Sequence, residues 1–519
     1  MRIGIDVGGT HTDAVIMDGA EVVGSTKALT TSDILSGIRA ALDEVLRQTG
    51  AAPSAIECVM IGTTQFTNAV VTRSGLARTA AVRVCLPTGS AVPPMADWPP
   101  DLRSQMDGGA HLLHGGHEYN GRPIAPLDAK EVSRAIESID ASGVRALAVT
   151  GVFSPLTPDV EDEIAARFHD SIDVLDVTRS HELGRLGLLE RENAALLNAG
   201  LKPLARHVIG AMRASLDQAG IAAPVYVSQN DGTLMEAAAA QEHPVRTFSS
   251  GPTNSMRGAA WLSDVDRAIV IDVGGTTADV GMLIDGFPRP SGTTVEVGGV
   301  RLNFGMPDVL SIGLGGGSIV RESGARVGPD SVGHELVERA LVFGGDTLTA
   351  TDIGVGVGLA RIGDRALPDL ETGVLDAAQQ RIRASLADAV DRIKTSPAPL
   401  PLIAVGGGAF LVPDDLPGIS RVARPQHAGV ANAIGAALAQ VSGEAELLYA
   451  AGADARDAAL ASARQQATQR AIAAGARPGT VEIVDVEEVS LAYMAESTTR
   501  LRVKAVGDLD LDEIAVRDV

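Results

Sequence analysis

A nine-residue repeat is the feature that most constrains the fold of this chain. Ile5–Asp13 reads IDVGGTHTD, and Ile271–Asp279, 266 residues later, reads IDVGGTTAD, so seven of the nine positions are identical. Each copy follows a short apolar run typical of a buried strand and precedes another. The spacing between the two copies is too long for an array of small stacked units, so it indicates a duplicated domain. The alternation of strand-like and helix-like segments favours an α/β architecture.

The repeated segment has the chemistry of an anion-binding hairpin. Glycines after a strand leave backbone N–H groups unobstructed, and successive N–H groups form a concavity for an anion. The aspartate at the strand end, Asp6 or Asp272, can hold a metal-bound water or accept a proton. One strand–Gly-Gly hairpin alone is an ordinary turn in most chains, but two near-identical copies predict a clamp on a polyphosphate. The predicted phosphate-binding residues are Gly8, Gly9, Thr10, Gly274, Gly275 and Thr276.

Two further glycine clusters are predicted to bind the cofactor. One ends the apolar run Pro401–Val405, where the backbone can approach a nucleotide base or ribose closely, or simply turn from a strand into a helix. The other follows Ile312 and is too rich in glycine for a packed strand, which indicates a functional loop. The clusters consist of Gly406, Gly407, Gly408, Gly315, Gly316 and Gly317.

Composition excludes several classes of protein. The 43 Lys and Arg against 65 Asp and Glu give a net charge of −22, which argues against nucleic-acid binding and against docking on an anionic membrane. No uncharged apolar run of about 18 residues occurs, so no membrane-spanning helix is predicted. The first residues lack the pattern of a signal peptide, and two cysteines cannot form a disulfide framework, so we expect a cytoplasmic protein. The chain has no Gly-Lys dipeptide and hence no Walker A loop.

Several segments, in a fixed order, carry a resemblance to a known family. They are Gly4–Val15, Gly62–Val70, Ser180–Leu183, Glu190–Asn193, Phe248–Pro252, Asp272–Val280 and Gly315–Ile319. On these motifs the chain resembles the hydantoinase A / 5-oxoprolinase family, and more broadly actin, Hsp70 chaperones and sugar kinases. The resemblance implies duplicated ribonuclease-H-like domains around a central nucleotide cleft, with a small C-terminal α/β extension. The expected boundaries are 1–185, 186–440 and 441–519.

The resemblance also implies an activity. Relatives use ATP to open a cyclic amide such as a hydantoin, an oxoproline or a lactam, because phosphorylation of the carbonyl oxygen turns a poor electrophile into a reactive one. Water, activated in a hydantoinase B-like partner, then attacks. The implied cofactors are ATP and Mg²⁺, with Asp6, Asp272, Thr10 and Thr276 as catalytic residues and the two aspartates holding Mg²⁺ mostly through water. An ATP-dependent carboxylase, a small-molecule kinase and a nucleotide-gated scaffold without catalysis remain alternatives, and an oligomer is expected.

The other candidate residues each have a structural alternative. Asp13 and Asp279 either act in the site or lock the hairpins through backbone N–H groups. The expected substrate contacts can equally cap helices or fill space. These contacts are His11, where the family usually has Phe, and Thr63, Thr64, Asn68, His181 and Glu182.

Three histidines and a glutamate, His111, His114, His117 and Glu118, resemble metal ligands. The glycine-rich sequence around them instead favours a solvated loop that borders the cleft.

Two helices are predicted with less regular patterns. Leu188–Leu216 reads as one long helix with a break expected near Pro203. Glu444–Ala474 reads as a polar, alanine-rich helix, followed by strands at Val481–Val486 and Thr498–Val506.

Overall fold

The computed structural model describes residues 1–8, 11–29, 34–292, 295–363, 367–368, 370–438, 440–450, 453–491 and 498–511. Its strands, in chain order, are β1 Arg2–Val7, β2 His11–Asp18, β3 Glu21–Leu29, β4 Cys58–Thr63, β5 Thr79–Leu86, β6 Asp107–His114, β7 Ala146–Gly151, β8 Asp176–Arg179, β9 Val225–Ser228, β10 Leu234–Glu236, β11 Ile269–Val273, β12 Ala278–Ile284, β13 Phe287–Pro288, β14 Val295–Val297, β15 Val300–Leu302, β16 Val309–Ile312, β17 Ser318–Arg321, β18 Arg326–Ser331, β19 Leu400–Val405, β20 Ile419–Ala423, β21 Gln440–Tyr449, β22 Glu482–Ser490 and β23 Thr499–Asp508. Its α-helices are α1 Ile34–Thr49, α2 Gln65–Thr72, α3 Pro100–Met106, α4 Ala129–Ser142, α5 Asp159–His169, α6 Leu188–Gln218, α7 Ala237–Glu242, α8 Ser250–Ser263, α9 Leu336–Arg339, α10 Ala350–Gly356, α11 Thr372–Ile393, α12 Ala431–Ala436 and α13 Ala453–Ala473.

Two sheets repeat the same strand order. In the first, β1, β2 and β3 form an antiparallel meander, and β4 and then β9 add in parallel on the other side of β1. In the second, β11, β12 and β16 form the meander, and β19 and β20 add in parallel beside β11. This order is that of a ribonuclease-H-like domain, so the predicted duplication and α/β fold class are confirmed.

A separate parallel sheet is inserted into the first half. Its order is β6-β5-β7-β8, and it lies in sequence between α2 and α6. The segment predicted to be a solvated loop, including His111 and His114, is mostly strand β6 of this sheet. His114 contacts Glu131 at 2.9 Å, and the described residues contain no group of three or more side chains able to hold a metal ion. The loop assignment was therefore wrong.

The C-terminal residues extend the first sheet. Strands β21, β23 and β22 continue it through β10, so that nine strands run from β22 to β3, and the expected boundary at residue 440 falls inside one continuous sheet. The predicted helix Glu444–Ala474 was wrong over its first part, because Gln440–Tyr449 pairs along its whole length with β23. The helix begins only at Ala453 and packs its buried alanines on these strands.

Helix α6 runs unbroken for 31 residues through Pro203, contrary to the predicted break. Its residues 191–202 are all buried between the inserted sheet and the first half, so their polar side chains need partners inside the protein. Glu192 pairs with buried Arg83, and the Asn193 side chain accepts a hydrogen bond from Trp98 at 2.7 Å. No helix of the described residues, α6 included, is long and apolar enough to cross a membrane.

Helices α8 and α12 cross at the junction of the two halves. A Cβ at Gly258 of α8 would lie 1.9 Å from the carbonyl oxygen of Ala431, and one at Gly435 of α12 would lie 1.8 Å from that of Asn254. The two contacts are equivalent, because each glycine meets the residue four positions before the other glycine. The sequences match as well: Ser255-x-x-Gly-Ala-Ala in α8 corresponds to Asn432-x-x-Gly-Ala-Ala at α12. The duplication therefore includes the helices that join the halves.

Candidate functional site: a cleft between the two hairpins

One cleft of about 570 Å³ collects side chains from both halves of the chain. Its walls come from both repeated hairpins, the end of β19, and helices α2, α8, α10 and α12. The lining residues predicted from the sequence are Gly8, His11, Thr64, Asn68, Asp272, Gly274, Gly275, Thr276, Gly316, Gly406, Gly407 and Gly408.

Asp6 is buried at the floor of the first hairpin. It is 4% exposed and accepts a hydrogen bond from the Asn432 side chain at 2.9 Å, while its Oδ1 has no hydrogen-bond partner among the described residues. Burial, together with the nearby carboxylates Asp13 and Asp272, raises the pKa of Asp6 from 3.8 to about 7. Gly8 donates its N–H to the carbonyl of His11 at 3.1 Å and closes the turn. Gly9 and Thr10 lie outside the described residues.

Asp272 takes the equivalent position in the second hairpin. The Ser255 hydroxyl donates to its Oδ2 at 2.5 Å, and burial raises its pKa. Gly274 donates its N–H to the carbonyl of Thr277 at 2.9 Å. Within the described part of the chain the N–H groups of Gly275 and Thr276 donate no hydrogen bond, and both residues line the cleft. This hairpin tip can therefore receive an anion.

Within the described residues, the second aspartate of each repeat, Asp13 or Asp279, has a side-chain partner and no bond to a hairpin N–H group. Asp13 lies opposite Asp6 in the strand register and pairs with Lys27 at 2.7 Å. Asp279 lies opposite Asp272 and accepts a hydrogen bond from the Ser311 hydroxyl. Burial raises the pKa of Asp279 to about 6.

The glycines after β19 lie directly against Asp272, the aspartate at the end of β11. Gly406 has a φ of +83°, and a Cβ there would lie 2.2 Å from Oδ1 of Asp272. Gly408 donates its N–H to the carbonyl of Val273 at 2.8 Å, while Gly407 faces open space. A flat group can therefore approach this backbone from the cleft.

The cluster Gly315–Gly317 lies behind the second hairpin. Gly315 donates its N–H to the Ser318 hydroxyl at 2.8 Å, and the next two donate to the carbonyls of Gly274 at 2.9 Å and Gly275 at 2.7 Å. Of the three, Gly316 alone is among the lining residues. Their N–H groups are thus used to hold the hairpin and are not available to a ligand, which differs from the predicted direct contact.

Of the three candidate residues at the start of α2, two line the cleft and one does not. Thr63 is buried, and its hydroxyl accepts the N–H of Gln65, the first residue of α2, at 3.2 Å, although the residue at the N-cap position is Thr64. Thr64 and Asn68 line the cleft. His11 also lines it, and burial followed by the charge of Lys27 lowers its pKa, which favours a neutral imidazole.

The structure does not bring His181 and Glu182 to this cleft. His181 contacts buried Glu161 at 2.8 Å, and Glu182 pairs with Arg179. Glu161 also accepts from the Ser180 hydroxyl and lies beside Arg191, so the segment is part of a buried polar network around the start of α6. The local motif could not distinguish this network from a substrate site.

Other lining residues had no local signal in the sequence. They are Lys27, Ser255, Leu336, Phe343, Thr351, Ile362, Phe410, Gly429, Ala431 and Asn432 and, at the second hairpin tip, Thr277, whereas Asp13, a candidate from the sequence, also lines the cleft. Ser255 and Asn432 could have been found from the repeat between α8 and α12.

The two repeated sheets and the cleft that both line give this chain the fold found in actin, Hsp70 chaperones and sugar kinases. The protein-family model for the hydantoinase/oxoprolinase N-terminal region matches residues 2–172 of this sequence. The family model for hydantoinase/oxoprolinase matches residues 191–388. The chain belongs to the hydantoinase/oxoprolinase family.

Two curated relatives and one solved structure are similar to this chain. The chain is 26% identical to caprolactamase subunit alpha of Pseudomonas jessenii over 75% of this chain and 60% of that protein. It is 27% identical to the acetophenone carboxylase gamma subunit of Aromatoleum aromaticum over 46% of this chain and 34% of that protein. The crystal structure of the ATP-dependent caprolactamase from Pseudomonas jessenii superimposes with a TM-score of 0.77 at 19% identity, covering 98% of this chain and 87% of that one. The chain thus spans less than two thirds of the length of the curated relatives it matches.

Proposed function

We propose that this chain is the ATP-binding subunit of an enzyme that phosphorylates the carbonyl oxygen of a cyclic amide and so activates the ring for opening. The observation that carries the proposal is the meeting of both repeated hairpins and the glycine turn after β19 in a single cleft. The family and the caprolactamase relative support the substrate class. An amide resists hydrolysis near neutral pH, which gives coupling to ATP a physical purpose.

The cleft fits a nucleoside triphosphate. Its volume of about 570 Å³ is within the range of small-molecule sites. The free N–H groups at Gly275 and Thr276 suit phosphate oxygens, and the turn at Gly406–Gly408 suits the nucleoside. Thr64, Asn68 and His11 line the first-half side of the same cleft and supply polar contacts for the amide.

The aspartates fit a magnesium ion. Mg²⁺ prefers oxygen ligands and binds through one or two carboxylates plus water and phosphate, so it needs no dedicated cage of protein side chains. Asp6 and Asp272 supply two carboxylates, and Oδ1 of Asp6 has no partner within the described residues. Their raised pKa values reflect buried negative charge that a divalent cation would relieve. When bound, the ion neutralises charge on the phosphates.

The proposed reaction links the two substrates through the amide carbonyl oxygen. This oxygen attacks the terminal phosphorus of ATP, and the bond to the bridging oxygen breaks, releasing ADP. Water adds to the activated carbon, and the ring C–N bond breaks to leave an acyl phosphate. A second water attacks the same carbon and phosphate leaves, giving the ring-opened amino acid, ADP and phosphate. The cleft residues orient the reactants for the first step, while a hydantoinase B-like partner subunit supplies the activated water.

An isotope experiment tests the proposal. The chain is mixed with a candidate hydantoinase B-like subunit, Mg²⁺, ATP and a panel of hydantoins and lactams carrying ¹⁸O in the carbonyl. We expect ADP release that depends on one class of ring, with ¹⁸O appearing in inorganic phosphate by mass spectrometry. The matched control is the corresponding ring-opened amino acid, which should release no ADP. ADP release that no cyclic amide changes would contradict the proposal, and a phosphorylated product that accumulates would indicate a kinase.

A carboxylase subunit is the second candidate, because the acetophenone carboxylase gamma subunit is also a relative. The same phosphoryl transfer to a carbonyl oxygen would then activate a ketone. Dependence of ADP release on both a ketone and bicarbonate, with no response to any cyclic amide, distinguishes this function from the first.

A further inference from the structure

The two halves of the cleft differ at one matched position. Asp13 and Asp279 are equivalent residues of the repeat, and each lies opposite a residue of the third meander strand. In the first half that residue is Lys27 on β3, whose ammonium lies 2.7 Å from one oxygen of Asp13 and 2.8 Å from the other. In the second half it is Ser311 on β16, which is uncharged. The duplicated scaffold therefore carries a cation on one side only.

Lys27 is placed to meet a ligand. Among the described residues that line the cleft it is the one lysine or arginine, and its side chain is 35% exposed. An ammonium group has three protons to donate, so the pair with Asp13 leaves capacity for a ligand. Asp13 is 2% exposed and is fixed in the sheet, so it holds the lysine at the hairpin instead of letting it extend into solvent.

The glycine turn gives the cleft a direction. Gly406–Gly408 follow β19, which pairs with β11, the strand that ends at Asp272 and the second hairpin. A nucleotide whose nucleoside lies on that turn presents its first phosphates to the adjacent second hairpin. The end of the polyphosphate then points toward the first hairpin, where Lys27 lies.

The geometry points to Lys27 as the residue that binds the terminal phosphoryl group of the nucleoside triphosphate, with Asp13 as its positioning residue. This inference rests on the proposed function. It explains why one half carries the cation: the terminal phosphoryl has the greatest charge, and the surrounding carboxylates Asp6, Asp13, Asp272 and Asp279 would otherwise repel it. It also separates the hairpins into one for the transferred group and one for the phosphates that stay with the product.

Calorimetric titration of nucleotides tests the inference without turnover. Wild type, Lys27→Gln and Lys27→Arg are titrated with Mg²⁺ and either a non-hydrolysable ATP analogue or ADP. We expect Lys27→Gln to weaken binding of the analogue at least tenfold and of ADP less than threefold, because ADP lacks the group that Lys27 contacts. Lys27→Arg should recover most of the difference. Lys130→Gln, an exposed lysine on α4, should leave both affinities unchanged, and Ser311→Ala should leave their ratio unchanged.

The outcomes separate this inference from the function beneath it. If wild type binds neither nucleotide, the proposed function fails and the inference with it. If wild type binds both and Lys27→Gln weakens both equally, or neither, the inference alone is overturned. Because Lys27→Gln leaves a buried carboxylate without its cation, the double variant Asp13→Asn/Lys27→Gln is titrated in parallel. It removes both charges and must show the same selective loss.

Discussion

Replacement of Asp6 by asparagine is expected to make the nucleotide-free protein more stable above pH 7 and, in the same variant, to weaken magnesium-dependent nucleotide binding by about ten- to a hundredfold. The asparagine side chain would keep an oxygen that accepts the hydrogen bond from Asn432. It would lose the buried charge, which the folded state tolerates poorly, and with it the carboxylate that suits the ion.

The direction of the pH dependence follows from the pKa of Asp6, which is about 7 in the folded protein against an ordinary value of 3.8. Between about pH 4 and pH 7 the folded state holds a proton that the unfolded chain has lost, so the free energy of unfolding of wild type falls as the pH rises. Above pH 7 the loss is complete. The difference between the two pKa values sets an upper limit of about 4 kcal/mol on this loss.

Thermal melts of the two proteins between pH 4 and pH 8.5 measure the effect. The melting temperature of Asp6→Asn minus that of wild type should be small at pH 4, rise between pH 4 and pH 7 and then stay level. Asp18→Asn, at an exposed position at the end of β2, is the control and should show no such rise. Parallel curves across the whole range would mean that Asp6 is not held protonated by the fold.

The sequence predicted those parts of the fold whose signal is local or repeated. The hairpins, the strands around them and the duplicated domain all follow from IDVGGT and its copy, and the structure has them in register with Asp6 opposite Asp13 and Asp272 opposite Asp279. The glycine turn after β19 was also located, because an apolar run that ends in three glycines is typical of a strand followed by a turn.

The parts that failed depend on pairing between distant segments. Gln440–Tyr449 is rich in Glu, Ala and Leu, which favour helices, and it is a strand because ten residues of β23 pair with it. Asn432 and Asp6 are 426 residues apart in the sequence, and no local motif near either residue predicts their hydrogen bond. His181 lies in a family motif but contacts Glu161, which also lies beside Arg191, a buried residue of α6.

The largest loss of stability is expected from a single methyl group at the crossing of α8 and α12. In Gly435→Ala the new Cβ would lie 1.8 Å from the carbonyl oxygen of Asn254, and in Gly258→Ala it would lie 1.9 Å from that of Ala431. Neither atom belongs to a flexible side chain, so the helices themselves must separate. We expect each variant to lose at least about 3 kcal/mol of unfolding free energy, or to fail to accumulate as folded protein.

Gly210→Ala is the matched control for this pair. Gly210 lies inside α6 at an exposed position, and a Cβ there meets nothing within 4 Å, so alanine should stabilise the helix by about 0.5–1 kcal/mol. Denaturant unfolding of the three variants therefore separates helix propensity, which favours alanine at all three sites, from the close approach of two backbones.

The same two helices also connect Asp6 with Asp272, because Asn432 of α12 and Ser255 of α8 donate hydrogen bonds to the two carboxylates. A Gly435→Ala protein that survives should consequently bind Mg²⁺ and nucleotide more weakly than Gly210→Ala. Stability equal to that of Gly210→Ala would show that the two helices do not pack as closely as described.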